Sequence, residues 1–214
     1  TPGGCKIGKR PIDFHLHAIE QLGAQIRYDG QNVIASAPHG LRGGRVVMPL
    51  PSVTATENAL MAAIGAKGQT RIENPSQDSE VLELIRFLQA MGYSITIEKE
   101  AFTVISDGPI TTQSVDFHIM SDRMEIGTWI AAAGITRSHI SLKHSGFNQL
   151  DTVFSHARKI GILLDEQPGC LFVDGRGPLQ AQSFKTGFHP EFPTDLQAPF
   201  AALNASCPGP WSIE

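Results

Sequence analysis

The chain has 214 residues, 41% hydrophobic and 18% charged, with a formal net charge of -4, enough for one large domain or two small ones with a sizeable core. No window approaches the ~18 consecutive apolar residues of a membrane span and no apolar signal core opens the sequence, so the cytoplasm is the expected location and no membrane partner is expected. Mild acidity without a long basic stripe argues against nucleic acid as a partner, and Cys5, Cys170 and Cys207 lie too far apart for metal-ligand spacing or a disulfide framework.

The first stretch, TPGGCKIGKRPIDFH, sets Lys6, Lys9 and Arg10 beside Cys5, behind Gly3 and Gly4. Two readings are open on these residues alone: a loose terminal loop, or a thiol whose thiolate is favoured by cations that also cradle a phosphate. Next, Ile12, Leu16 and Ile19 recur at helical spacing, with Asp13 at the helix start after Pro11, where a carboxylate complements the dipole. The glycine that closes this helix, Gly23 in EQLGAQI, has counterparts in Gly92 of QAMGYSI and Gly161 of RKIGILL, at one fixed interval of 69 residues. Each suits a left-handed helix cap. After each comes a strand, a turn and a strand: QIRYDGQNVIAS with its Asp29-Gly30 hairpin signal, ITIEKEAFTVIS, and LLDEQPGCLFVD.

A second element alternates with the first. TENALMAAIGAKGQTRIEN, MEIGTWIAAAGITRSHISL and DLQAPFAALNASCPGPWSIE are apolar nearly all round, which predicts helices buried on every side, each followed by a short strand. The full unit reads β-α-β-α-β-β, with helices inside and sheets outside. Residue 1 is Thr, the first unit begins at its second half and the last stops soon after its buried helix. The chain is therefore expected to be an internal piece of a longer polypeptide: half a unit, two whole units from about Pro51 onward to Phe188, and another half.

Five motifs, PGGCKIGKRPIDFH, SVTATENALMAA, RIENPSQDSEV, SDRMEIGTWIAAAGI and FPTDLQAPFAAL, resemble those of the enolpyruvyl transferases, in the same order and along essentially the whole chain. The cysteine of the first motif sets the resemblance with the branch of peptidoglycan synthesis, because the shikimate-pathway branch lacks it. The resemblance implies an inside-out α/β barrel fold, with residues 1–120 as the second and third repeats of a first domain and 121–214 as the first repeat and part of the next in a second. It implies transfer of the enolpyruvyl group of phosphoenolpyruvate to the 3'-hydroxyl of UDP-N-acetylglucosamine, with release of phosphate and no cofactor. It also implies that the family's N-terminal lysine-asparagine pair and C-terminal arginines lie outside this chain, so that the chain alone is inactive and needs the remaining segments.

Residue by residue, Cys5 matches the family's proton donor and fosfomycin target, and Arg10 its phosphate-binding arginine. The turn of Pro11, Ile12 and Asp13 matches residues that contact uracil. Ser52, Val53 and Thr54 match the loop whose backbone N–H groups bind the diphosphate. Asp195 matches the base near the attacking sugar hydroxyl, with a helix cap as its other reading. Asp122 and Arg123 resemble residues at the family's domain crossing and Asp78 stands where glutamate is usual, a structural role being the other reading; His15 and His189, beside site motifs, are read as packing or hydrogen-bonding groups. Two departures bear on the ligand: Leu50 stands where a lysine is common, and Thr54 where glycine is usual. A different nucleotide acceptor, or a non-catalytic nucleotide-binding homologue, is the alternative.

Overall fold

The computed structural model describes residues 12–110, 114–144, 146 and 149–214. They form, in chain order, α1 (Asp13–Gln21), the hairpin β1 (Gln25–Asp29) and β2 (Asn32–Ser36), then β3 (Arg45–Val47), α2 (Val53–Gly65), β4 (Lys67–Glu73), α3 (Ser79–Ala90), β5 (Ser94–Ile97) and β6 (Ala101–Asp107). After these come α4 (Arg123–Ile135), β7 (His139–Lys143), α5 (Asp151–Ile160), β8 (Leu163–Gln167), β9 (Cys170–Asp174), a 3-10 turn (Thr194–Leu196) and α6 (Gln197–Ala205). Two compact units divide the chain, Thr1–Phe117 and His118–Glu214.

The repeating glycines do what their spacing predicts. Gly23, Gly92 and Gly161 have φ of 96°, 99° and 111°, a region nearly closed to residues with a Cβ. In each case the following residue, Ala24, Tyr93 or Ile162, donates its N–H to the carbonyl five residues back, at 3.0, 3.1 and 3.0 Å. That bond closes the helix and turns the chain into its hairpin. The first hairpin loop is Gly30-Gln31, because Asp29 and Asn32 are the last paired residues; the turn lies one residue later than Asp29-Gly30 predicts.

The complete unit is β3-α2-β4-α3-β5-β6. Its sheet has the order β3-β4-β6-β5, with β3 parallel to β4 and the other pairs antiparallel. The second unit repeats the last three strands in the order β7-β9-β8, while residues 114–122 contribute no strand. Register sets the two faces: Thr70 opposite Val104 and Ile72 opposite Phe102 point into the core. Arg71 opposite Thr103 points out, where it pairs with Glu98 at 2.8 Å beside the Arg45–Glu73 pair at 2.7 Å.

The alanine-rich helices are the centre of each unit. On α2, Ala55, Ala59, Leu60 and Ala63 are fully buried against α1, α3, β4 and β6. On α4, Ile130, Ala131 and Ala133 are buried in the second core with Phe200 and Leu203 of α6. Two expectations need correction. Neither α2 nor α4 is buried on every side: Met61 is 52% and Trp129 49% exposed. The elements that contact α2, namely α1, α3, β4 and β6, leave Met61 open among the described residues. The third buried helix is also not followed by a strand; Ile213 forms only an isolated bridge with Phe184, too short a contact for a ladder.

Two close fits generate predictions. Gly175, whose N–H donates to Ser138 O at 2.9 Å, passes so near α4 that a Cβ there would lie 2.8 Å from Gly134 Cα and closer still to the Ala133 carbonyl. Backbone cannot move aside as a side-chain tip can. Gly175→Ala is therefore expected to lower the stability of the second unit by about 1–3 kcal/mol, read from urea unfolding; an unchanged midpoint would mean that the contact relaxes freely.

His156 of α5 is buried among aromatic rings, with centroids 4.8, 5.5 and 5.8 Å from Phe184, Phe192 and Phe200. Among the described residues its Nε2 has no hydrogen-bond partner. Burial, and then the charge of Lys159, lower its pKa from 6.5 to about 4. Between those values the unfolded imidazole holds a proton that the folded one does not, so acid favours unfolding. The urea midpoint of the second unit is expected to fall between about pH 7 and pH 4, and His156→Leu to remove part of that slope. Equal slopes in the two proteins would contradict a neutral, caged imidazole.

Candidate functional site

The residues singled out by sequence fall into three groups. Cys5, Arg10 and Pro11 lie outside the described residues. Ile12, Asp13, Ser52, Val53 and Thr54 belong to the first unit, and Asp195 to the second.

In the first unit, two helix starts meet. Ile12 precedes α1 and Asp13 is its exposed first residue. Ser52 precedes α2, in extended backbone at φ -80° and ψ 126°, and Val53 and Thr54 begin that helix. His15, one turn into α1, links them: its Nε2 lies 3.4 Å from Thr54 Oγ1, and its carbonyl accepts Asn58 Nδ2 at 3.2 Å. The Thr54 side chain is thus turned toward α1. The Ser52 hydroxyl makes no capping hydrogen bond to α2. First-turn amides have no acceptor within their own helix, so this start offers N–H groups and the positive end of the dipole to an anion.

Beneath the surface of this start is a hydrogen-bond chain that links two sequence motifs. Thr56 Oγ1 donates to the Ser52 carbonyl at 2.7 Å and accepts the N–H of Ser76 at 3.0 Å. Ser76 Oγ donates to Asp78 Oδ2 at 2.5 Å and accepts the N–H of Asp78 at 3.2 Å. Thr56, Ser76 and Asp78 are buried. Asp78 precedes α3 without capping it through its side chain. Sequence reasoning passed over Thr56 and Ser76, although a threonine inside an apolar helix, four residues after a helix start, is a position where hydroxyls bond back to the i−4 carbonyl. Glu57, also passed over, is pushed up by burial and then by the charge of Glu80, and so keeps its proton to higher pH than a solvated glutamate.

In the second unit, Asp195 sits on the 3-10 turn that leads into α6, flanked by the buried Phe192 and Leu196. It is exposed. Leu196 takes the capping position of α6, and no side chain caps that helix, so the cap reading of Asp195 loses its support. Asp122 is a true cap: its Oδ1 accepts the N–H groups of Met124 and Glu125 at 2.7 and 3.4 Å. Arg123 beside it is buried. Among the described residues no cluster of His, Cys, Asp and Glu could hold a metal, and no helix is long and apolar enough to cross a membrane.

The model of the EPSP synthase (3-phosphoshikimate 1-carboxyvinyltransferase) family matches residues 1–212, and the chain belongs to that family. Within it, the chain is 42% identical over 202 residues to a UDP-N-acetylglucosamine 1-carboxyvinyltransferase of Gluconobacter oxydans, across 94% of this chain and 48% of that protein. It is 40% identical over 217 residues to the protein of the same name from Helicobacter pylori, across 100% of this chain and 51% of that one. The chain thus spans about half the length of the curated relatives it matches. Among solved structures, the enolpyruvyl transferase NikO from Streptomyces tendae shares the fold at a TM-score of 0.83 and 20% identity, over 95% of this chain and 51% of that one. EPSP synthase from Acinetobacter baumannii does so at 0.63 and 20%, over 95% and 46%.

Proposed function

We propose that this chain contributes to an enolpyruvyl transferase that joins phosphoenolpyruvate to the 3'-hydroxyl of UDP-N-acetylglucosamine in the cytoplasm, the first committed step of peptidoglycan synthesis. The observation that most supports this reading is the bond network through His15. It joins the start of α1, matched to uracil contacts, to the start of α2, matched to diphosphate contacts, so two groups expected to hold one nucleotide are neighbours. The names of the relatives at 42% and 40% identity support the same acceptor.

In this reading Asp195 takes the proton of the sugar hydroxyl as its oxygen bonds to C2 of phosphoenolpyruvate, and Cys5 delivers a proton to the C3 methylene. The product of addition is a tetrahedral ketal still carrying phosphate. Loss of a proton from C3 and departure of phosphate then restore the double bond, now on the sugar ether. Arg10 holds the phosphate through its planar guanidinium, and the amides of Ser52, Val53 and Thr54 hold the diphosphate. Pro11, Ile12 and Asp13 face the uracil. Because the chain spans about half of its relatives, the assays are made on the polypeptide of family length that carries it.

Fosfomycin, an epoxide that resembles phosphoenolpyruvate, is expected to label Cys5 and spare Cys170 and Cys207, which are free thiols in the second unit. Peptide mass spectrometry locates the adduct; modification of Cys207 with Cys5 intact would remove Cys5 from the reaction.

Asp195→Asn is expected to leave nucleotide-sugar binding within about tenfold and to lower turnover by roughly 10²–10⁴, the range for loss of a general base. Unchanged turnover would put the base elsewhere.

A further inference from the structure

The buried chain from Asp78 to Ser52 has a fixed direction. The Ser52 carbonyl can only accept, so the Thr56 hydroxyl must donate to it, at 2.7 Å. The Ser76 amide can only donate, so it occupies a Thr56 lone pair, at 3.0 Å. The Asp78 N–H can only donate, so it occupies a Ser76 hydroxyl lone pair at 3.2 Å, and the Ser76 hydroxyl donates to Asp78 Oδ2 at 2.5 Å. No hydroxyl in the series has to choose between two orientations. Thr56 and Ser76 are shielded from water, so no solvent molecule can stand in for a lost bond, and an unmade bond costs the full desolvation of the group left behind.

The fixed end of this chain is the carbonyl of Ser52, which also accepts the N–H of Thr56 at 3.0 Å. Two bonds from one residue hold the peptide plane between Ser52 and Val53, and with it the direction of the Val53 N–H. Ser52 has no side-chain cap of its own to do so. From these observations we infer that Thr56, Ser76 and Asp78 are positioning residues, which aim the first amides of α2 at the diphosphate of the nucleotide sugar without touching it. The inference rests on the diphosphate reading of the α2 start, and it assigns to the loop before α3, through its buried Ser76 and Asp78, a share in acceptor binding.

The consequence is a selective one. Loss of the hydroxyl relay disorients amides that meet the nucleotide, whereas phosphoenolpyruvate is held by other groups. Thr56→Val keeps shape and burial but removes the hydroxyl; Thr56→Ser keeps the hydroxyl and removes a methyl. In the polypeptide of family length, Thr56→Val is expected to raise KM for UDP-N-acetylglucosamine by about tenfold, one buried hydrogen bond's worth, with KM for phosphoenolpyruvate within about twofold. Thr56→Ser is expected to restore the nucleotide KM to within about threefold of the parent despite its lost methyl, a rescue that packing alone would not give. Ser76→Ala, which interrupts the relay one step further out, is expected to show the same selectivity and carries the test if Thr56→Val does not fold. Equal rises in both KM values, or no rise with Thr56→Val or Ser76→Ala, would overturn the positioning role. Absence of turnover in the parent with UDP-N-acetylglucosamine would instead remove the reading beneath it.

Discussion

Close packing around α2 is the constraint on which the first unit depends. Ala55, Ala59 and Ala63 recur at intervals of one turn and are fully buried, so neighbouring elements approach that face with only a methyl group between backbones. α1 and α3 flank the helix and β4 and β6 back it. A helix held along its length has a fixed start, and the start of α2 is where Ser52, Val53 and Thr54 stand. The same helix is tied at its far end, where Ser106 Oγ of β6 donates to the Ile64 carbonyl at 2.7 Å. The start of α2 is held from the core beneath it and by the two bonds that its own Ser52 carbonyl accepts from Thr56.

Polar interactions divide sharply by place. On the outer face of the sheet, Arg45–Glu73 and Arg71–Glu98 are solvent-exposed pairs, of the kind that contributes little to stability. Inside, the Thr56–Ser76–Asp78 series and Asn204 of α6 are buried and bonded; Asn204 Oδ1 accepts the Gln182 N–H at 2.7 Å, and its Nδ2 donates to Phe200 O at 3.0 Å. Each of these joins a core helix to the loop that passes it. Loss of one partner leaves a buried group unpaired, so these few bonds govern loop position more than the exposed pairs do.

Much of this was legible in sequence because it is local. A glycine that ends a helix is dictated by the backbone angle at that residue, so Gly23, Gly92 and Gly161 announced three helix ends and the hairpins after them. The alanine-rich segments announced the core helices for a similar reason, since a helix apolar nearly all round has few other places to go. What sequence could not supply was which neighbours are present to cover each face; hence Met61 and Trp129 are exposed where complete burial was expected. Nor could it supply contacts between distant motifs. Thr56 and Ser76 belong to different motifs and meet only once α2 and the loop before α3 have folded together, and the pairing of Thr54 with His15 spans a still longer separation. Of the candidate site residues, the helix starts were legible as positions, and their bonding was not.

Family membership alone leaves two acceptors in view, because the matching family model carries the name of a 3-phosphoshikimate enzyme while the curated relatives are named for UDP-N-acetylglucosamine. The decisive measurement is product mass and phosphate release, with phosphoenolpyruvate and each acceptor in turn, in the polypeptide of family length. Enolpyruvyl transfer to the nucleotide sugar predicts one phosphate released for each UDP-N-acetylglucosamine that gains an enolpyruvyl group, and no product with 3-phosphoshikimate. Product with 3-phosphoshikimate and none with the nucleotide sugar would contradict it.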